Sequence, residues 1–389
     1  MASRLNPSVA ERFGDRLRAF ARPWEVASFI WLPLIVLGYT VWYELHTHRV
    51  LEDFRIFRTA ATAVMHGHTP YVAADPHALA HFDKFVYPPS TAFFFSPFAI
   101  MPLPVAQVIM FVLSLACTFA ALRLLGVQDW RCYGVAVMSP TIVNSLALGA
   151  VTPFLLVGAA AVWRYRDRPV AAGCLAAITG ITKLFLWPLG LWLLVTRRIR
   201  GAAVCVAVGV VVLLAGWAVI GFAGLRGYPH LLSVLTRVEQ HASYSPLAIA
   251  HLGPAAARAV SLALFVLLAL CVVVSARGAD GDRRSLVIAI AGALVATPLL
   301  WLHYLALLLV PIAVYRPRLS GLWFVPLALW LTPASHANGS SWRIALALGA
   351  IAVVVARTVA ESQTQGLIAW GSRLPRVPAG QPQSLAGTE

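Results

Sequence analysis

Charged side chains are scarce in this chain, so each can be weighed singly. Two lysines occur, Lys84 and Lys183, beside fifteen carboxylates. Asp53 opens the stretch Asp53-Phe54-Arg55-Ile56-Phe57-Arg58, which runs on with helical spacing to Gly67, a C-cap position. At a helix N-terminus the positive end of the dipole keeps a carboxylate ionised. A general base for a hydroxyl proton needs that state. A plain helix N-cap uses the same residue at the same place, and both readings stand. Lys183 interrupts an apolar stretch, where an ionisable group is costly unless paired or used. It can meet a phosphate, or snorkel to a surface. Trp301-Leu302-His303-Tyr304 suits stacking on a sugar and bonding a phosphate, although a lone histidine serves structure as readily. The run Glu239-Gln240-His241-Ala242-Ser243-Tyr244-Ser245-Pro246 is either a sugar-binding loop or a solvated turn. In Phe85-Val86-Tyr87-Pro88-Pro89, proline starts a helix and tyrosine marks a membrane interface.

Other chemistries lack their residues. There is no Walker loop, HExxH or nucleophile elbow. Asp-x-Asp occurs only as Asp280-Gly281-Asp282, among arginines. The five cysteines, Cys117, Cys132, Cys174, Cys205 and Cys271, lie in or beside apolar runs with no CxxC or Cys/His spacing. They read as small buried hydrophobes, and no metal site is expected.

The elements that position these residues follow from composition. The 389 residues are 60% hydrophobic and 12% charged, against about a quarter charged in an ordinary soluble domain. A soluble enzyme, a secreted disulfide scaffold and a disordered chain are excluded. The long apolar runs predict an all-α polytopic membrane protein rather than a barrel. The net charge of +15 is almost all arginine. The arginines lie in short clusters between apolar runs, as cytoplasmic anchors do, so no nucleic-acid partner is expected.

With the arginine clusters at 164–168, 197–200, 277–284, 316–318 and 357–376 inside, about twelve crossings result. They run at 24–44, 88–103, 104–126, 133–163, 169–183, 184–196, 201–222, 256–276, 285–301, 303–316, 319–335 and 342–358. The span 133–163 is too long for one straight helix and is expected to break at Ser139-Pro140 and Gly149. Residues 1–23 form a cytoplasmic segment, 24–358 the membrane domain, and 359–389 a cytoplasmic tail read as disordered. Outer loops fall at about 45–87 and 223–255. The outer face collects Glu44, Glu52, Asp53, Asp75, Asp83, Asp129 and Glu239, with Lys183, His303 and Ser335-His336. Polar residues gathered on one face favour an extracytoplasmic enzyme. A lipid-linked sugar transporter would place them near the midplane.

Asp53-Phe54-Arg55-Ile56-Phe57, His68-Thr69-Pro70-Tyr71, Phe85-Val86-Tyr87-Pro88-Pro89, Phe95-Ser96-Pro97-Phe98 and Leu103-Pro104 form an ordered series. Ser139-Pro140, Lys183 with Pro188, and Pro298 to His303 continue it. Together they resemble glycosyltransferase family 87, polytopic mannosyltransferases of the GT-C type, over about residues 24–358. The family's Gly-Gln-Asn-like step reads Gly149-Ala150-Val151-Thr152-Pro153 here. Among members the chain looks most like the polyprenol-phosphate-mannose-dependent α-1,2-mannosyltransferases of mycobacterial envelope biosynthesis. The resemblance implies an inverting enzyme of the plasma membrane. Its donor would be polyprenyl-phosphate mannose and its acceptor a phosphatidylinositol mannoside, both drawn from the surrounding membrane lipids. A related transferase using another lipid-linked sugar is the nearest alternative. By resemblance Asp53 is the base. Lys183 and His303, with Arg55 and Arg58 behind them, are expected at the donor phosphate, and Tyr87, Gln240, Trp301 and Tyr304 at the sugars. No cofactor and no metal are implied.

The face assignment is testable. In a cysteine-free background, a membrane-impermeant thiol reagent applied from outside should modify cysteines placed at Ala74 and Ala242 but not at Gly281. Outside labelling at Gly281 would invert the topology.

Overall fold

The computed structural model describes residues 23–47, 50–81, 84–248, 253–278, 280–332 and 341–371. The expectations for residues 1–22, Asp83, Ser335-His336 and the tail after 371 lie outside the described residues. Every regular element among the described residues is helical. Helix α1 spans Pro23–Thr47, α2 Glu52–Met65, α3 Pro76–His81, α4 Pro89–Phe94 and α5 Ser96–Ala99. Then come α6 (Leu103–Leu124), α7 (Trp130–Met138), α8 (Pro140–Leu148), α9 (Thr152–Arg164) and α10 (Pro169–Thr182). A 3₁₀ turn at Leu184–Leu186 leads into α11 (Pro188–Val195), followed by α12 (Ile199–Val219) and α13 (Tyr228–Glu239). The last third holds α14 (Pro254–Ser275) and α15 (Gly281–Ala296). A 3₁₀ stretch, Leu302–Leu308, runs into α16 (Leu309–Tyr315), a second covers Gly321–Leu331, and α17 is Ser341–Gly371.

Five of these helices are long and apolar enough to cross a membrane: Pro23–Thr47, Leu103–Leu124, Ile199–Val219, Ala255–Ser275 and Ser341–Glu361. Their outward faces are apolar and open. Val206 and Val211 on α12 are 66% and 65% exposed, and Leu262 on α14 is 65% exposed. A water-soluble protein would hide such side chains; a hydrocarbon solvent suits them. Shorter helices fill the centre. Leu286, Val287, Ile290 and Leu294 of α15 and Leu155 and Leu156 of α9 are buried almost completely. Small residues let the backbones approach. A Cβ at Gly173 of α10 would lie 2.5 Å from the Gly201 carbonyl of α12, the close contact that membrane helices use.

One expected span differs from the structure, and a second breaks as expected. Segment 88–103 is not one helix: Pro97 re-starts the chain at Ser96, leaving α4 and α5, each far short of a crossing. Segment 133–163 breaks where its sequence suggests. Ser139, in extended conformation, separates α7 from α8, and Gly149, with φ of 63°, closes α8 before α9. Helix α17 also continues past 358 to Gly371.

The arginine-bearing turns meet at one end. Arg198 reaches Asp167 at 2.8 Å and Asp282 at 2.7 Å, joining three turns. Trp192 donates its indole N–H to the Asp282 carbonyl, and Tyr315 donates its hydroxyl to Asp280. Arg316 pairs with Glu361. Asp129, expected on the outer face, belongs to this end. It pairs with Arg131 at 2.9 Å and accepts from the Leu319 N–H beside Arg318, while Arg131 also reaches Glu25. The displacement follows from the two spans above: with 88–103 too short to cross, α6 carries the chain to the arginine end.

At the opposite end, Gly149 fixes how α2 enters. Leu51 precedes α2 in the left-handed region, with φ of 53°, and its N–H donates to the Ala147 carbonyl. A Cβ on Gly149 would lie 2.7 Å from Phe54 Cβ and 3.1 Å from Leu51 Cβ. Gly149→Ala is therefore expected to strain the αL backbone and push α2 outward. It should cost about 1–3 kcal/mol, read as a lowered thermal midpoint in detergent, whereas Gly349→Ala, with open space around it, should be close to neutral.

Candidate active site

Helix α2 carries Asp53 in its first turn, with Leu51 as N-cap and no side-chain cap hydrogen bond. The cap reading of Asp53 is thus not the geometry found. Phe54, Phe57, Ala60, Ala61 and Val64 seat α2 in the core. Phe57 stacks on Phe95 at 4.5 Å and meets Tyr87 edge-on at 4.8 Å. These rings turn Asp53 inward, and its side chain is half-buried. Burial pushes its carboxyl up to about 6; the nearby Lys183 ammonium opposes that rise, Glu52 adds to it, and Lys84 opposes it.

Lys183 is set by a break. After α10 the chain turns extended at Lys183, with φ of −147°, before the 3₁₀ turn. Its ammonium lies 3.9 Å from the Tyr87 ring centre and 4.9 Å from that of Tyr304. Such cation–π contacts stabilise a desolvated cation by about 0.5–2 kcal/mol each. The Tyr87 phenol feels the Asp53 charge. Burial and the Asp53 charge raise the Tyr87 phenol, holding it as a neutral donor.

His303 is buried beside Tyr304, ring centres 4.5 Å apart at right angles. Its Nδ1 lies 3.3 Å from Asn144 Oδ1 of α8. The backbone before it, Thr297 to Trp301, is not helical, and loop 240–248 satisfies part of it. Ser243 Oγ accepts from the Leu300 N–H at 2.9 Å, the Tyr244 N–H donates to the Leu300 carbonyl at 2.7 Å, and Ser245 Oγ donates to the Thr297 carbonyl at 3.0 Å. Irregular backbone at membrane depth requires such partners.

Five expected residues therefore converge: Asp53, Tyr87, Lys183, His303 and Tyr304. The others do other work. Arg58 donates to the carbonyls of Phe98, Ala99 and Met101, tying α2 to the end of α5 rather than facing Lys183. Arg55 lies on the exposed face of α2. Gln240 donates to the Leu247 carbonyl at 2.8 Å and holds its own loop. Trp301 is half-buried, and its carbonyl accepts from the Tyr304 N–H at 3.0 Å.

Sequence reasoning missed several participants. Asn144, a lone amide in an apolar helix, was itself the signal. Lys84 pairs with Glu239, joining segments 45–87 and 223–255. Tyr71 donates to the Tyr87 carbonyl and Tyr228 to the Val86 carbonyl, so two phenols grip the backbone that presents Tyr87. No group of three or more His, Cys, Asp or Glu arranged to hold a metal occurs among the described residues.

A helical bundle with apolar outer faces, and with a carboxylate, an ammonium and aromatic side chains gathered at one end, is that of a helical membrane protein with one polar site. The model of glycosyltransferase family 87 matches residues 85–311, more than half of the chain, and the protein belongs to that family. Tyr87, Lys183, Gln240, Trp301, His303 and Tyr304 fall inside the match, and Asp53 precedes it. No curated protein and no solved structure matches the chain.

The Lys183–Asp53 coupling is measurable. Carbodiimide modification of Asp53, followed by mass spectrometry across pH, reports its titration. Lys183→Met removes the charge that opposes the rise, so the midpoint should move to higher pH. An unmoved midpoint would mean that the two groups do not face each other.

Proposed function

We propose that the protein is an inverting mannosyltransferase. It moves mannose from polyprenyl-phosphate mannose to a phosphatidylinositol mannoside, forming an α-1,2 linkage at the outer face of the cytoplasmic membrane. The chain passes the membrane about twelve times, with catalytic domain 24–358 and both termini inside. The observation that carries the reading is the half-buried Asp53 carboxylate beside Lys183, within a wall of Tyr87 and Tyr304. Membership of glycosyltransferase family 87 supports the reaction class. The choice of mannose, donor lipid and acceptor rests on the resemblance in the sequence.

In this reaction the acceptor hydroxyl oxygen attacks mannose C1 as the bond from C1 to the phosphate oxygen breaks. The hydroxyl proton passes to Asp53, and polyprenyl phosphate leaves with the bonding pair. That leaving group needs no protonation, so one carboxylate suffices where a glycosidase needs two. Lys183 stabilises the charge growing on the phosphate. His303 is placed with Lys183 at the donor phosphate, Tyr87 and Tyr304 line the sugar's surroundings, and Arg58 and Gln240 act as struts.

The direct test supplies membranes containing the enzyme with radiolabelled polyprenyl-phosphate mannose and a panel of mannolipid acceptors. Label should enter a product one mannose longer, removable by an α-1,2-specific mannosidase. Transfer only from another lipid-linked sugar would overturn the mannose assignment.

Asp53→Asn separates chemistry from folding. Asn keeps the shape but cannot take the proton, so transfer should fall by about 10²–10⁴-fold. The folded carboxyl binds its proton more tightly than a free one. Ionised Asp53 therefore weakens the fold above about pH 6, and this effect fades as pH falls toward the free value of 3.8. The Asn variant sheds that cost but leaves the Lys183 ammonium without its carboxylate, so its thermal midpoint is read alongside the rate to show that the protein is folded. Full turnover by a folded Asp53→Asn protein would remove Asp53 as base.

The rate should follow the same titration. Transfer by wild type is expected to rise with pH, level off above about 6, and fall about tenfold per unit well below it. A flat profile from pH 5 to 8 would exclude a base of this kind.

A further inference from the structure

At the arginine end, away from Asp53, a groove of about 530 Å³ opens between α14, α15 and α17. It is lined by Leu270, Cys271, Val274, Ile288 and Val359, with Arg277 and Arg284 at its mouth. Leu270 and Val274 are 57% and 58% exposed. From Leu270 to Arg277 the chain rises about 10 Å at helical pitch, so apolar lining runs from the charged mouth into the zone of the acyl chains.

Among the described residues the charge at the mouth is uncompensated. Of the carboxylates described at this end, Asp129 and Glu25 serve Arg131, Asp167 and Asp282 serve Arg198, Asp280 serves Tyr315 and Arg283, and Glu361 serves Arg316. Neither Arg277 nor Arg284 has a carboxylate partner among the described residues. Arg284 donates to the carbonyls of Ser275 and Arg277, covering the carbonyl end of α14 that would otherwise repel an anion. Helix α15 begins at Gly281 beside the same turn and directs its positive end there.

We propose that this groove is a binding site for an anionic phospholipid of the leaflet on the arginine side. Its phosphate sits between Arg277 and Arg284, and one acyl chain lies along Leu270, Val274, Ile288 and Val359. A soluble anion would find the guanidinium groups but gain nothing from the apolar walls. A neutral lipid would fill the walls and leave two cations without a partner. Only an anionic lipid answers both, and the site is independent of the proposed reaction.

The test is native mass spectrometry of the delipidated full-length protein in detergent. It is titrated with phosphatidylglycerol or with phosphatidylcholine of the same acyl chains. Wild type should retain phosphatidylglycerol preferentially. Arg277→Gln leaves the structural bonds of Arg284 in place and should weaken phosphatidylglycerol retention about fivefold, the contribution of one basic residue near a charged lipid surface, with little change for phosphatidylcholine. Val274→Trp, which fills the groove, should reduce retention of both. Equal retention of the two lipids by wild type would overturn the proposal. So would undiminished retention of phosphatidylglycerol by folded Arg277→Gln, or displacement of bound lipid by glycerol phosphate alone.

Discussion

A carboxylate and an ammonium at one end of an apolar bundle offset part of each other's burial cost. Asp53 comes from the first turn of an amphipathic helix, and Lys183 from a break between two short apolar ones. Neither would sit comfortably in its place alone, since an unpaired charge in low dielectric is costly. Tyr87 and Tyr304 complete the arrangement, because their rings meet the ammonium. Much of the surrounding structure holds these four groups in register. Phe57 and Phe85 pack on Tyr87 and Phe95 stacks on Phe57, Tyr71 and Tyr228 hold the Tyr87 backbone, and Gly149 lets α2 approach.

The helix breaks are part of the same constraint. Lipid offers no hydrogen bonds, so each interrupted helix must find partners inside the protein. The prolines at the starts of α8, α9 and α10 remove donors that would otherwise be orphaned. The extended stretch before His303 is served by Ser243, Tyr244 and Ser245 from a loop more than fifty residues earlier. A loop that reads as polar and solvated in sequence is thereby partly internal: Ser243, Tyr244 and Ser245 are all buried.

Much of this was legible before the structure. The Ser139-Pro140 and Gly149 breaks follow from local backbone chemistry, and the arginine turns gather as charge anchors do. Lys183 and His303 stand out because polar groups are rare in apolar runs. What was not legible depends on distant backbone. Arg58 faces carbonyls some forty residues away, and nothing local distinguishes such a strut from a phosphate ligand. Asp129 was misplaced because counting crossings carries one error forward, and segment 88–103 is as apolar as a span yet folds as two short helices. Asn144 matters through its nearness to His303, a contact across 159 positions.

The two ends of the bundle are fastened differently. One is riveted by charged pairs that bridge three or more turns, with Arg198 at their hub. The other is basted by serine hydroxyls and backbone groups, neutral bonds of about 1 kcal/mol each, with Lys84–Glu239 the one ion pair across the loops there among the described residues. Segment 240–248 and the stretch from Thr297 to Trp301 are stitched to each other through Ser243, Tyr244 and Ser245, so neither can shift without carrying the other.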